Sequence, residues 1–144
     1  MAARRQVVTL DATVPEEPWR PRVVDRIRFS GACGGGDETM EIKTVLLRGA
    51  FTRHAHAETD EAFLVLGPEA LEIDLWEEGE GEGEAPTRTV TLRGGDMFVV
   101  PRGVPHCPRA PDAGCRAVLF EPAGVFNTGD AVEPPAALRA PSPE

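Results

Sequence analysis

The stretch His54-Ala55-His56-Ala57-Glu58-Thr59-Asp60-Glu61-Ala62-Phe63-Leu64-Val65-Leu66-Gly67 holds two of the chain's three histidines and runs into a short apolar segment closed by Gly67-Pro68. On an extended backbone, residues i and i+2 share a face, so the imidazoles of His54 and His56 can converge on one point. Glu61 stands five residues after His56, where a short bend can return its carboxylate to that face. The third histidine, His106, follows the turn Pro101-Arg102-Gly103-Val104-Pro105. It reaches the others only if a distant strand folds back beside them, as a barrel allows. Three neutral imidazoles and a carboxylate suit Fe(II), Mn(II), Ni(II), Zn(II) or Cu(II), with one or two coordination positions left for water or substrate. Two exposed histidines in a polar loop would give the same H-x-H pair, so the pair alone does not decide.

Outward from this stretch the chain reads as short strands. Val23 to Phe29 alternates loosely, Glu41 to Arg48 is rich in aliphatic and β-branched residues, and Leu71 to Leu75 alternates strictly. Thr87 to Leu92, Asp96 to Val100, His106 to Ala110 and Arg116 to Phe120 continue the series, with Arg93-Gly94-Gly95-Asp96 as a hairpin-type turn. Eight or nine strands at such spacing, with Gly/Pro turns and no helical periodicity, predict an all-β sandwich or barrel. Residues 1–22, broken by Pro15, Pro18 and Pro21, read as an N-terminal arm that adds an edge strand at Val7 to Leu10. Residues 23–130 form the barrel, and the Pro/Ala-rich tail 131–144 frays. The Glu/Gly run from Glu77 to Pro86 reads as a solvated hairpin tip, since its glycines supply no rigidity to hold a cation.

Composition narrows the function. The 144 residues make one domain, and 15 glycines with 14 prolines disfavour a helical bundle. A net charge of −9 argues against nucleic-acid and membrane-surface partners. No apolar run approaches the roughly 20 residues that span a bilayer. The N-terminus lacks a secretory h-region, and Cys33, Cys107 and Cys115 are an odd set without metal-type spacing. The expected compartment is a reducing cytoplasm.

The frame around the histidines reads Gly49-x4-His54-x-His56-x4-Glu61-x5-Gly67, then Gly95-x5-Pro101-x-Gly103-x2-His106. It resembles the two signature motifs of the cupin superfamily, G-x5-H-x-H-x(3,4)-E-x6-G and G-x5-P-x-G-x2-H-x3-N. The second matches through its histidine, and the first is one residue short before the histidine pair and again before the closing glycine. The asparagine that ends the second motif is Ala110 here. The resemblance covers roughly residues 40 to 130 and is to small single-domain cupins, many of them labelled mannose-6-phosphate isomerase-like. It implies a double-stranded β-helix, or jelly-roll barrel. It also implies a mononuclear metal centre on His54, His56, Glu61 and His106, and a homodimer with crossing N-terminal strands.

Parity then places the neighbours. Asp60 and Cys107 sit next to ligands and should face away, Asp60 bonding a turn and Cys107 acting as a structural thiol. Thr52, Phe63 and Val65 should share the ligand face and line a mainly apolar substrate pocket. Leu71, Ile73 and Leu75 should fill the core. Arg48, Arg53, Arg102 and Arg109 lie near the motif edges, and any of them could hold a substrate carboxylate. The chain has no tyrosine and one lysine, Lys43. These readings give a metal-dependent enzyme acting on a small organic molecule, of oxygenase or isomerase/lyase type. The alternative is a non-catalytic, metal-containing module that binds a small ligand or assists another enzyme.

Overall fold

The computed structural model describes residues 4–31, 36–77 and 83–125. The Glu/Gly run falls partly, and the 131–144 tail wholly, outside the described residues. Strands β1 (Arg22–Ser30), β2 (Asp37–Ala50), β3 (Glu61–Gly67), β4 (Leu71–Leu75), β5 (Arg88–Leu92), β6 (Met97–Val100) and β7 (His106–Pro122) form one antiparallel sheet. The fold is all-β, as expected, and no helix among the described residues is long and apolar enough to cross a membrane.

Alternation dictates these elements. Along β3 every second residue from Glu61 is buried, and β4 buries Leu71, Ile73 and Leu75 while Glu72 stays exposed. The inward residues join Val45, Leu47, Val100, Ala117 and Leu119 in one core. Strand β7 organises the sheet. One of its edges pairs with β2, and the other pairs with β4 at residues 106–109 and with β3 at residues 116–120.

Three expectations need correction. Seven strands form among the described residues where eight or nine are expected, because the segments 106–110 and 116–120 belong to the single strand β7. Between Ala110, opposite Gly49, and Cys115, opposite Leu47, the chain makes a bulged excursion without leaving the sheet. Val7 to Leu10 forms no strand. Val7 is 97% exposed with no ladder partner, and Leu10–Thr13 (α1) closes one helical turn. The histidine pair also lies outside a strand: after Ala50 the chain leaves the regular ladder until Glu61.

The arm is nonetheless tied down. Thr13 and Thr44 exchange hydrogen bonds, and the Arg116 guanidinium pairs with Asp11 at 2.7 Å. Trp19 packs into the core, donates its backbone N–H to Leu46 O at 2.9 Å and its indole N–H to Arg48 O at 2.7 Å.

Gly114, in the β7 excursion, has φ +91°, and a β-carbon there would lie 2.9 Å from Leu46 Cδ1. Gly114→Ala is therefore expected to destabilise the protein by about 1–3 kcal/mol, mainly through backbone strain. Urea unfolding checks this, and an unchanged midpoint would contradict it.

Candidate metal centre

The four ligand candidates arrive from three places. Glu61 opens β3, His106 opens β7, and His54 and His56 lie on the connection between β2 and β3. Backbone bonds clamp that connection onto β7. Phe51 N donates to Pro108 O at 2.9 Å, and His54 and His106 form an isolated bridge, donating to each other's carbonyls at 3.0 and 2.8 Å. Gly103 N donates to His56 O at 2.8 Å and ties the second histidine to the 101–105 turn. The convergence expected from strand parity is thus achieved by main-chain clamping.

The side chains of His54, His56, Glu61 and His106 are all buried, and one candidate ligand atom from each lies within 4.8 Å of all the others. Tautomers are fixed from behind. His54 Nδ1 lies 2.8 Å from Thr52 O, and His106 Nδ1 lies 2.9 Å from Val104 O. A carbonyl only accepts, so each Nδ1 carries the proton and each Nε2 keeps its lone pair. Both Nε2 atoms are buried without a hydrogen-bond partner among the described residues. Such atoms are costly to bury unless something coordinates them.

Glu61 Oε2 lies 3.4 Å from His56 Nε2, and Glu61 Oε1 lies 3.4 Å from His106 Nε2. That is longer than the roughly 2.7–2.9 Å of a charge-assisted hydrogen bond. It matches the spacing of neighbouring ligands on an ion bound at about 2.0–2.2 Å. The residues present fit a divalent transition metal.

Electrostatics agree with neutral imidazole and ionised carboxylate. Burial, helped by His106, pushes the His54 imidazole down to about 4, against the opposing pull of the Thr52 carbonyl and Glu61. Burial alone would raise Glu61, but the polar groups around it hold the carboxyl below its usual range. Glu121, buried beside it, is pushed up to about 8 by desolvation and by Glu61, against the pull of Lys43.

The His54 shift has a testable sign. In the metal-free protein, the unfolded chain takes up a proton near pH 6.5, whereas folded His54 waits until about 4. Wild type should therefore lose stability relative to His54→Gln as pH falls from about 6.5 to 4, by roughly 3 kcal/mol in total. Glu121 is common to both proteins and largely cancels. Urea unfolding of the two metal-free proteins across that range is the measurement, and a constant gap would refute the assignment.

A small cavity of about 20 Å³, room for about one water-sized molecule, opens beside the cluster, lined by His54 and Glu61 with Trp19, Val45, Leu47, Phe51, Phe63, Leu119 and two prolines. Phe63 lies on its wall. Thr52 and Val65 do not: Val65 is fully buried in the core, and Phe51 occupies the cavity wall where Thr52 is expected. The chain is not a strand at residue 52, so side-chain alternation does not hold there. Phe51 sets its ring against His54 at 5.3 Å and stacks on Trp19 at 4.5 Å.

The four arginines considered for a substrate carboxylate are absent from the cavity lining. Arg109 is held by Asp74 and Glu72, Arg102 by Asp60, and Arg53 lies over the Trp76 ring. Asp60 accepts from the Arg102 backbone N–H at 2.8 Å, the turn contact expected of it. Cys107 sits on β7 opposite Asp74, with burial pushing its thiol upward.

Sequence reasoning missed Trp19, Phe51 and Glu121. For Glu121 a signal existed: it continues the inward parity of Ala117 and Leu119 by one further step.

Comparison with known proteins adds an independent line. No protein-family model matches the chain, and no curated protein is similar enough to count as a relative. Among solved structures, a cupin-2 domain containing protein from Shewanella frigidimarina is similar at 30% identity, covering 73% of this chain and 81% of that one, with a TM-score of 0.56. A protein from Neisseria meningitidis shares 25% identity over 82% of this chain and all of its own, with a TM-score of 0.59. The hydroquinone 1,2-dioxygenase PnpCD, solved with Fe3+, shares the fold at 16% identity and a TM-score of 0.56, over 74% of this chain and 28% of its own.

Proposed function

The chain belongs to the cupin superfamily, and on that premise we propose that it is a metal-dependent enzyme acting on a small, largely apolar organic molecule. One observation carries this reading: the buried Nε2 lone pairs of His54 and His106 converge with His56 and Glu61 at the wall of an apolar cavity. His54, His56, Glu61 and His106 would hold the metal. A divalent ion bound there would supply Lewis-acid chemistry toward substrate, water or O₂.

The residues of the chain perform the rest. Phe51, Phe63 and Leu119 present apolar surface around a space of about 20 Å³, which suits a very small neutral ligand or a single group of a neutral substrate. Among the described residues no lysine or arginine lines the cavity, so they offer a substrate carboxylate no partner there. Thr52 and Val104 orient the imidazoles through their carbonyls. Apart from His54 and Glu61, no lining residue among those described carries a titratable group, so protons move through those two residues, their neighbours or the substrate. Oxygenation, or an isomerase/lyase reaction begun by polarising the substrate, meets that restriction best. The same scarcity of acid–base groups favours, as the second reading, a metal-containing module that binds a small ligand without converting it.

Elemental analysis of the purified protein tests the centre: wild type should carry close to one transition metal per chain and His54→Ala almost none. Equal contents would remove the basis of the proposal. Oxygen uptake and NMR of mixtures with small neutral alcohols, phenols and carbonyl compounds then separate oxygenation, rearrangement and simple binding.

A further inference from the structure

The carboxylate ligand does not stand alone on its face of the sheet. Glu121 of β7 lies opposite Glu41 of β2, and Phe120 lies opposite Ala62 of β3, so the register carries Glu121 to Glu61. Directly opposed residues of antiparallel strands share a face, which puts Glu41, Glu121 and Glu61 in one row. All three are buried, Glu121 completely. Ionising all three of these adjacent buried carboxyl groups would be costly in repulsion and desolvation.

The compensating charge comes from the chain's single lysine. Lys43, 8% exposed, puts Nζ at 2.6 Å from Glu121 Oε1 and 3.8 Å from Glu41 Oε1. From β1, Arg26 Nε bonds Glu41 Oε2 at 3.1 Å. A continuous series of charged side chains, Arg26, Glu41, Lys43, Glu121 and Glu61, therefore crosses four strands, from a solvent-facing guanidinium to the candidate metal ligand. The second Glu121 oxygen is buried and receives no hydrogen bond among the described residues. A buried ion pair does not improve stability over apolar residues of similar volume, so its presence beside a ligand calls for another reason.

We infer that Lys43 and Glu121 are positioning residues for Glu61: their buried pair fixes the orientation and charge environment of the ligand carboxylate, so metal affinity depends on two side chains that do not touch the metal. This inference rests on the metal-centre reading. Outer partners of metal ligands typically affect affinity 10–100-fold, which sets the size of effect to look for.

The decisive variant is the double replacement K43M/E121M, which removes both charges together and leaves neither partner stranded. The probe is Co2+, followed by calorimetric titration and by its visible spectrum, with urea unfolding of each metal-free protein as control. The double variant is expected to stay folded, to bind Co2+ about 10–100-fold more weakly and to show an altered spectrum. Glu121→Gln, which keeps an acceptor for Lys43 and gains a donor for Glu61, is expected to remain within a few-fold of wild type. Wild-type affinity and spectrum in the folded double variant would overturn the inference while leaving the metal centre intact. Absence of Co2+ binding by wild type would overturn the metal-centre reading itself.

Discussion

His106→Ala removes the thermal stabilisation that a divalent metal confers on the wild-type protein. His106 is 1% exposed, and its Nε2 is buried without a hydrogen-bond partner among the described residues. Truncation deletes that donor and the orientation it receives from Val104, leaving three ligands around a partly opened space. A metal at about a thousand times its Kd stabilises the native state by about 4 kcal/mol. Weakened a thousandfold, the same concentration contributes only about 0.4 kcal/mol. The frame should survive, because the bridge between residues 54 and 106 is made by main-chain atoms that alanine retains. Calorimetric melting with Zn2+ or with chelator reads the result. Equal metal-induced shifts in wild type and variant would mean that the ion binds elsewhere.

The grouping of His54, His56, Glu61 and His106 was legible in the sequence because its spacing is enforced by the backbone. Gly103, with φ +79°, turns the chain back toward His56 and leads within three residues to His106. Strands β3 and β4 were legible for another reason: each buries one face, so alternation survives in the residue order. β7 was not, because its register is held by three neighbouring strands, and a four-residue excursion in a continuous strand looks locally like a turn between two. The pocket wall failed at Thr52 because side-chain parity applies only where the chain is a strand. Lys43 and Glu121 gave no local sign of their pairing, since 78 residues separate them and only β2–β7 register brings them together.

Trp19→Ala should have the largest effect on folding itself, although the residue lies in a proline-rich arm that reads as irregular. Its side chain is 5% exposed, stacks on Phe51 and helps wall the cavity next to His54. Truncating a buried tryptophan costs about 3–5 kcal/mol, a large share of the roughly 5–15 kcal/mol that holds a domain together. It also strands the Arg48 carbonyl, which now accepts the indole N–H. Trp19 has φ +63°, the only positive value at a non-glycine residue among those described. The side chain is thus kept in the left-handed region against a local cost that glycine would avoid. Trp19→Gly should therefore be no less stable than Trp19→Ala, despite being smaller. Indole at millimolar concentration should raise the melting temperature of both variants and leave wild type unchanged, because only they contain the emptied space. A loss below about 1 kcal/mol in urea would place Trp19 outside the core, and indole rescue of wild type would show a binding site unrelated to its side chain.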